Sequence, residues 1–357
     1  MAEKEQSSEP PPCLMTSLPE YVIVDILARV PRCNYPTLSL VSKHFRSLVA
    51  SREIYARRSL LGCTENCVYV ILCNRKNRVG GQLYILSRKP NGNQHLFLIP
   101  SLPTMPRYGS YVAMGSKIYV FNSVTSSSGL IIDCISHTAQ PLPSMPVVMN
   151  VSIAKIIDGR IYVIGYIMDL DSEENVNYVM VVFNTETQTW EPETIKIDIE
   201  VDMWCECVVM SGKMYFRDGE NSFIYEPKGS KRDTDEMVNA KEWEDACVVD
   251  DVLYYYDVVE NELKTYDSEK KCWGVVNGVE EFLATHTERV CGWWKTASYG
   301  GKLFLFHDED TYVGVTYFAE ISLERNQQRE IWGKVEWCDE VEIAESVYIV
   351  KCLAVMV

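Results

Sequence analysis

Nowhere in the 357 residues does an apolar run approach the roughly 18 needed to cross a bilayer as a helix. The opening MAEKEQSSEPPP lacks the basic-then-apolar order of a secretory signal. A cytoplasmic or nuclear address and no membrane contact are therefore expected. Histidine is scarce: His44, His95, His137, His286 and His307 are scattered, and no CxxC pair occurs. Cys205 and Cys207 would share one face of a strand without a nearby histidine, so no metal and no cofactor are expected. The stretch SSSG at 126–129 and the isolated glycines do not make a phosphate loop, which needs a glycine-rich strand-to-helix junction and a lysine. No convergent catalytic set or acid pair is visible, and the expectation is a non-catalytic protein.

Positive charge is also in short supply, since the net formal charge is -16. It is uneven: residues 1–150 hold 15 Lys and Arg against 8 Asp and Glu, and the remainder 19 against 42. Such a surface repels nucleic acid and suits a protein partner, or no electrostatic partner at all. Thirteen cysteines, an odd number at irregular spacing in a long chain, read as reduced and mostly buried thiols. With 47% hydrophobic and 24% charged residues, the composition is that of a folded protein behind a short disordered leader, residues 1–13.

LPEYVIVDILARVP, residues 18–31, has Leu18, Val22, Ile23, Ile26, Leu27 and Val30 at helical spacing. Pro19 suits the first turn, Glu20 complements the positive end of the helix dipole, and Pro31 stops the run. Tyr21, Val24 and Ala28 widen the apolar face beyond one stripe. Two further short helices are expected, from Thr37 to Val41 and from Ser42 to Ala50, with Leu38, Leu40, Val41, Phe45 and Leu48 apolar. Three helices in about 45 residues are near the size at which a lone core becomes marginal. They carry more apolar face than they can bury among themselves.

LPEYVIVDILARVP…YPTLSLVSKHFRSLVAS resembles the F-box, over residues 14–60. The likeness rests on the opening Leu-Pro, the Ile-Leu pair before a second Pro, and Val-Ser-Lys-His-Phe-Arg-Ser-Leu. It implies docking on a Skp-type adaptor, and through it on a cullin scaffold, by Leu18, Pro19, Ile26, Leu27, Pro31, Leu38, Val41 and Phe45. Ser42 and Phe45 stand where the family often has Cys and Trp.

From residue 66 onward the chain is rich in short Val, Ile, Tyr and Phe runs between turn residues, an all-β pattern. The runs NCVY, SKIY, GRIY, GKMY, DVLY and GKLF begin at residues 66, 116, 159, 212, 251 and 301. Spacings of 50, 43, 53, 39 and 50 residues match propeller blades of roughly 40 to 50 residues. Trp190 and Trp273 each lie six residues after the Asn or Asp ending a third strand, where a large ring covers the neighbouring blade. These features resemble kelch repeats, with Gly300-Gly301 kept as the paired glycines and Ser-Gly, Asp-Gly or Asp-Asp elsewhere.

The expected architecture is mixed: a small all-α F-box module, then an all-β six-bladed kelch-type propeller over residues 61–357. VYIVKCLAVMV at the end supplies the first blade's missing strand and closes the ring. One propeller face would collect the segments at 74–81, 101–109, 168–177, 196–204, 284–294 and 307–314. Arg75, Lys76, Arg78 and Arg107 face Asp169, Asp171, Asp202, Asp308 and Asp310 there, with Trp204, Trp293 and Trp294 as aromatic candidates. The candidate target contacts are Arg75, Arg78, Arg107, Trp204, Trp293, Trp294 and Asp308.

The combination resembles the plant-type F-box/kelch family, which implies a substrate-recognition subunit of an SCF-type ubiquitin ligase. A kelch scaffold without ubiquitin transfer is the alternative, and a propeller enzyme would need a bound metal.

Overall fold

Pro19 opens the first helix with its carbonyl, which accepts from the Val22 and Ile23 amides at 2.9 and 3.3 Å. The computed structural model describes residues 18–75, 80–88, 92–122, 128–168, 176–199, 205–219, 221–287, 292–309, 315–343 and 347–357. The chain divides into a helical unit, up to Glu65 and including Val357, and a β unit, Asn66–Met356.

The helical unit holds α1 (Glu20–Ala28), a 3-10 turn (Arg32–Asn34), α2 (Tyr35–Val41), α3 (Lys43–Val49) and α4 (Arg52–Leu60). Ser42 and Ser51 start α3 and α4: their hydroxyls accept from the Phe45 amide at 3.0 Å and the Ile54 amide at 3.3 Å. Ser42 thus has a capping duty where the F-box often has Cys. Ile23, Val24, Leu27, Ala28, Phe45, Leu48, Val49 and Ile54 are buried. The fourth helix is absent from the sequence-based expectation of three, because REIYARRSL carries few apolar residues. One face is instead sealed by Arg58, 1% exposed, whose Nη1 donates to the carbonyls of Ala28 (2.9 Å) and Val30 (2.7 Å) and to the Tyr35 hydroxyl (3.2 Å). Its Nη2 pairs with Glu65 at 2.7 Å. Arg57 grips Asp25 with Nε at 2.5 Å and Nη2 at 2.9 Å, tying α4 to α1.

The β unit is a series of antiparallel meanders. The first sheet holds β1 (Asn66–Asn74), β2 (Gly81–Arg88) and β3 (Gln94–Leu98). The next is β4 (Ser110–Met114), β5 (Lys117–Phe121), β6 (Gly129–Asp133) and β7 (Thr138–Pro141). Then come β8 (Asn150–Ile157), β9 (Arg160–Met168) and β10 (Val176–Asn184), with β11 (Thr189–Trp190) and β12 (Ile195–Lys196) both along β10. The fourth sheet is β13 (Glu206–Met210), β14 (Lys213–Asp218), β15 (Asn221–Glu226) and β16 (Lys231–Asp233).

An eight-stranded sheet follows, made of two four-strand meanders. One is β17 (Cys247–Val249), β18 (Val252–Asp257), β19 (Glu262–Asp267) and β20 (Cys272–Asn277); the other is β21 (Gly292–Tyr299), β22 (Lys302–Glu309), β23 (Val315–Arg325) and β24 (Ile331–Glu342). Among the described residues, the strand ladder passes from one to the other at the parallel register Val276↔Ile331 and Asn277↔Trp332. The last strand, β25 (Val347–Met356), pairs antiparallel with β1 from Asn66↔Met356 to Asn74↔Val347. This is the pairing expected of the terminal run. First strands also neighbour one another in a cycle: β4 on β8, β8 on β13, β13 on β17, β17 on β21, β21 on β25, and β25 on β4.

The hairpin between the first two strands of a meander puts both central residues at positive φ in Asp158-Gly159, Ser211-Gly212, Asp250-Asp251 and Gly300-Gly301. That is the type I′ requirement, met at lowest strain by glycine and next by Asp or Asn. At the end of the third strand, Asp133, Asn184 and Asp267 accept from the amides two and three residues on. This Asx turn fixes where the chain reverses. Trp190 then packs on Phe183 (5.0 Å) and on Phe121 of the preceding sheet (6.2 Å), while Trp273 packs on Tyr266 and Tyr255 at 4.9 and 5.7 Å. Trp243, wholly buried, donates to the Ser222 hydroxyl at 3.2 Å.

The expectation of an all-β propeller needs one correction. Among the described residues, two short helices lie between meanders: α5 (Glu236–Asn239) joins the fourth sheet to the eight-stranded one, and α6 (Glu280–Thr287) joins the two meanders of the latter. Asp235 caps α5 and Glu280 accepts from the Gly278 amide at the start of α6, so local capping makes helices of connections that an all-β expectation leaves without them.

Candidate functional site

α1 runs with Ile23, Val24, Leu27 and Ala28 inward, which turns the intervening positions outward. Leu18, Tyr21 and Ile26 are 37, 71 and 40% exposed, and Leu40 and Val41 at the end of α2 are 79 and 64% exposed. Pro19 and Pro31 are exposed and Leu38 is half-buried. Leu18 just before α1, Tyr21 and Ile26 on it, and Leu40 and Val41 on α2 thus leave five apolar side chains in water, apolar surface of the kind found at protein interfaces. Two expected adaptor contacts are corrected: Leu27, 1% exposed, and Phe45, 8% exposed, are core, because the i+3 and i+4 spacing that brings Leu27 beside Ile23 and Val24 also hides it. Tyr21 and Leu40 are fractionally more exposed than Leu18, Ile26 and Val41 among the expected contacts.

In the β unit the candidate target contacts separate. Arg75, just past β1, and Arg107, in the connection from β3 to β4, come together: each guanidinium lies over the Tyr348 ring of β25, at 5.2 and 5.3 Å. Arg107 also lies 5.3 Å from the Tyr108 ring, which is half exposed. Tyr348 and Tyr108 escaped the sequence reading, since only the pairing of β25 with β1 brings the chain's end to Arg75.

Trp294 is corrected: it is 3% exposed, between His307 (5.4 Å) and Phe282 (5.8 Å), and serves the core. Trp293 and Asp308 stand opposite each other in the β21–β22 register. Arg78 and Trp204 lie outside the described residues, as do Lys76, Asp169, Asp171, Asp202 and Asp310. A recess of about 590 Å³ opens elsewhere, lined by Tyr178, Asp198, Asp218, Phe223 and Arg232 among others.

Two of the thiols, Cys338 and Cys207, are poorly suited to nucleophilic chemistry. Cys338 Sγ lies 3.7 Å from His286 Nε2, a contact across the fold that spacing cannot show. Burial, then the Asp339 charge, pushes that thiol up to about 11, and burial pushes Cys207 up to about 12, so both stay protonated at neutral pH. Among the described residues no group of three His, Cys, Asp or Glu could hold a metal ion, and no helix is long and apolar enough to cross a membrane.

Comparison with known proteins agrees with the two units. The F-box domain profile matches residues 15–57, and that of the FKB95 kelch-repeats domain matches residues 83–342. An F-box/kelch-repeat protein of Arabidopsis thaliana is 46% identical over 99% of this chain and 98% of its own length. A second, putative F-box/kelch-repeat protein of the same plant is 34% identical over 99% of this chain and all of its own. A small helical F-box module precedes a β-rich, propeller-like kelch domain, and the chain belongs to the F-box/kelch-repeat family.

Proposed function

We propose that this chain is a substrate receptor of an SCF-type ubiquitin ligase, working in the cytoplasm or nucleus. The helical unit docks on a Skp-type adaptor, and through it on the cullin scaffold, while loops of the kelch domain hold a target protein. Holding both raises the target's effective concentration at the ubiquitin donor. The chain itself breaks no bond.

The observation that carries the reading is the surplus apolar face. The helical unit's interior is filled by its own side chains, yet Leu18, Tyr21, Ile26, Leu40 and Val41 remain in water. Family membership supports it, since F-box domains generally bind Skp-type adaptors and kelch propellers bind target proteins. We also read the β unit as six four-stranded blades closed by β25 on β1. The cyclic order of first strands and the thin two-residue seam within the eight-stranded sheet support that count.

The test is target turnover. Proteins captured by the full-length chain under proteasome inhibition are identified by mass spectrometry, and their half-lives are measured with the full-length chain and with one lacking residues 18–60. A captured protein whose half-life lengthens on the deletion supports a receptor. Unchanged half-lives for all captured proteins refute it and leave an interaction scaffold without ubiquitin transfer.

A further inference from the structure

The first strands neighbour one another in the cycle β4, β8, β13, β17, β21, β25, and they bring a set of charges to its middle. Lys155 comes from β8, Glu206 from β13, Lys295 from β21 and Lys351 from β25, with Asp245 two residues ahead of β17. In the cycle β25 touches β4 and β21. The Lys351 charge nevertheless acts on Lys155, Glu206 and Cys247, which stand on the three first strands that are not its neighbours, and the Lys295 charge acts on Glu206. Because such forces fade with distance, side chains from opposite sides of the ring converge near its axis.

These charges do not cancel. Lys295 pairs with Asp245 at 3.4 Å, whereas among the described residues the side chains of Lys155, Lys351 and Glu206 make no ion pair and no hydrogen bond. Two lysines against one carboxyl leave positive charge in excess, inside a molecule of net charge -16. The nearby thiols do not balance it: burial pushes Cys207 on β13 and Cys247 on β17 up to about 12, so both stay protonated at neutral pH. Burial, joined by the like charge of Lys351, holds the Lys155 pKa below its ordinary value, and burial holds that of Glu206 above its own. Lys155 and Glu206 are half-buried and Lys351 is exposed, so water and small solutes reach them. A partly desolvated ammonium group without a partner is costly until an anion arrives, and an anion between two of them also relieves their repulsion.

We infer that the middle of the ring of first strands seats one small oxyanion, a carboxylate or a phosphate, between the ammonium groups of Lys155 and Lys351. The strands that present the seat are fixed before a ligand arrives. Beside Lys155, the Ala154 amide donates to the Ser110 hydroxyl of β4 at 2.7 Å; beside Lys295, the Thr296 amide and hydroxyl both donate to the Asp245 carbonyl, at 3.1 and 2.8 Å. Such bracing lowers the ordering cost of binding. Lys295 stays with Asp245, and Glu206, the one acid there without a partner, opposes the anion. The inference stands apart from the receptor reading, since the seat needs neither an adaptor nor a target.

The experiment is calorimetric titration of the full-length protein at pH 7 with sodium phosphate and, separately, with sodium acetate, each against sodium chloride at matched ionic strength. Phosphate or acetate should bind saturably at one site per chain and raise the unfolding midpoint, while chloride does neither. The tighter of the two assigns the phosphate or the carboxylate. Lys155→Met and Lys351→Met should each weaken the preferred anion about tenfold or more. Folding is not at stake in either: methionine in place of a half-buried, unpaired ammonium removes a desolvation cost, and Lys351 is exposed. Glu206→Gln should bind at least as tightly as wild type, because it removes only an opposing charge. No saturable binding of either anion, wild-type affinity in either methionine variant, or a loss in Glu206→Gln as large as theirs overturns the inference.

Discussion

Replacing Arg58 by methionine should loosen the whole adaptor-facing module although Arg58 touches no partner. Its Nη1 satisfies the Ala28 and Val30 carbonyls where α1 ends, and the Tyr35 hydroxyl beside them; its Nη2 satisfies Glu65. Methionine fills much of the volume but donates nothing, so two carbonyls in or near the core lose a donor, at about 1–3 kcal/mol each. Part of this is offset, because a guanidinium that is 1% exposed and has an unpartnered Nε no longer needs desolvation. Glu65, about a third exposed, rehydrates and keeps the Arg32 amide. The net expectation is a loss of about 2–4 kcal/mol in the helical unit. Native-state hydrogen exchange on the full-length chain measures this directly, as protection of the α1 amides falling by roughly 30- to 1000-fold. Arg58→Lys should fall between, since one ammonium cannot reach all four acceptors. Protection within about twofold of wild type in Arg58→Met would refute the reasoning.

Further consequences follow from single side chains. Ser42→Ala removes the α3 cap and should cost about 1 kcal/mol by the same exchange measurement. Trp294→Ala should cost about 3–5 kcal/mol in thermal unfolding of the β unit, with any binding defect tracking unfolding instead of a lost contact. Deleting residues 347–357 strips β1 of one of its two partner strands, leaves that edge open, and should yield aggregation in place of a cooperative transition, read by light scattering during a melt. Burial acts to raise the Asp235 pKa, but the Tyr266 hydroxyl, the Met237 and Val238 amides and the Lys271 charge outweigh it and leave it lowered. Its stabilisation is therefore complete above the ordinary Asp pKa of about 4 and fades as pH falls through the lower folded value. Asp235→Asn should flatten that acid-side loss in urea titrations between pH 5 and 2; an unchanged slope would contradict it.

Much of this was legible in the sequence where one physical pattern dominates. Helical spacing in residues 18–31 gave both the inward residues and the surplus outside. The repeat starts at residues 159, 212, 251 and 301 placed the hairpins, because type I′ turns tolerate Asp and Ser beside Gly. Legibility ended where burial contradicts residue type or where contacts join distant segments. α4 hides a charged Arg58 in place of an apolar stripe, so periodicity passes over it. Leu27 matches the family pattern and Phe45 stands where the family often has Trp, yet both face inward, since a position in a motif does not state a direction. Trp294 looked like a hot-spot residue by type, but alternation along β21 directs it to the core. Arg75 and Arg107 meet at Tyr348, whose strand comes from the opposite end of the β unit.

The central claim is that α1 and α2 carry more apolar face than their own unit needs, and calorimetric titration of the purified chain against a purified Skp-type adaptor tests it most directly. Wild type should bind, and a Leu18→Ala/Ile26→Ala/Leu40→Ala triple variant should lose about 3–4 kcal/mol, roughly two to three decades in Kd, with its helical circular dichroism unchanged. A wild-type chain that does not bind, or a triple variant that binds equally well, would contradict it.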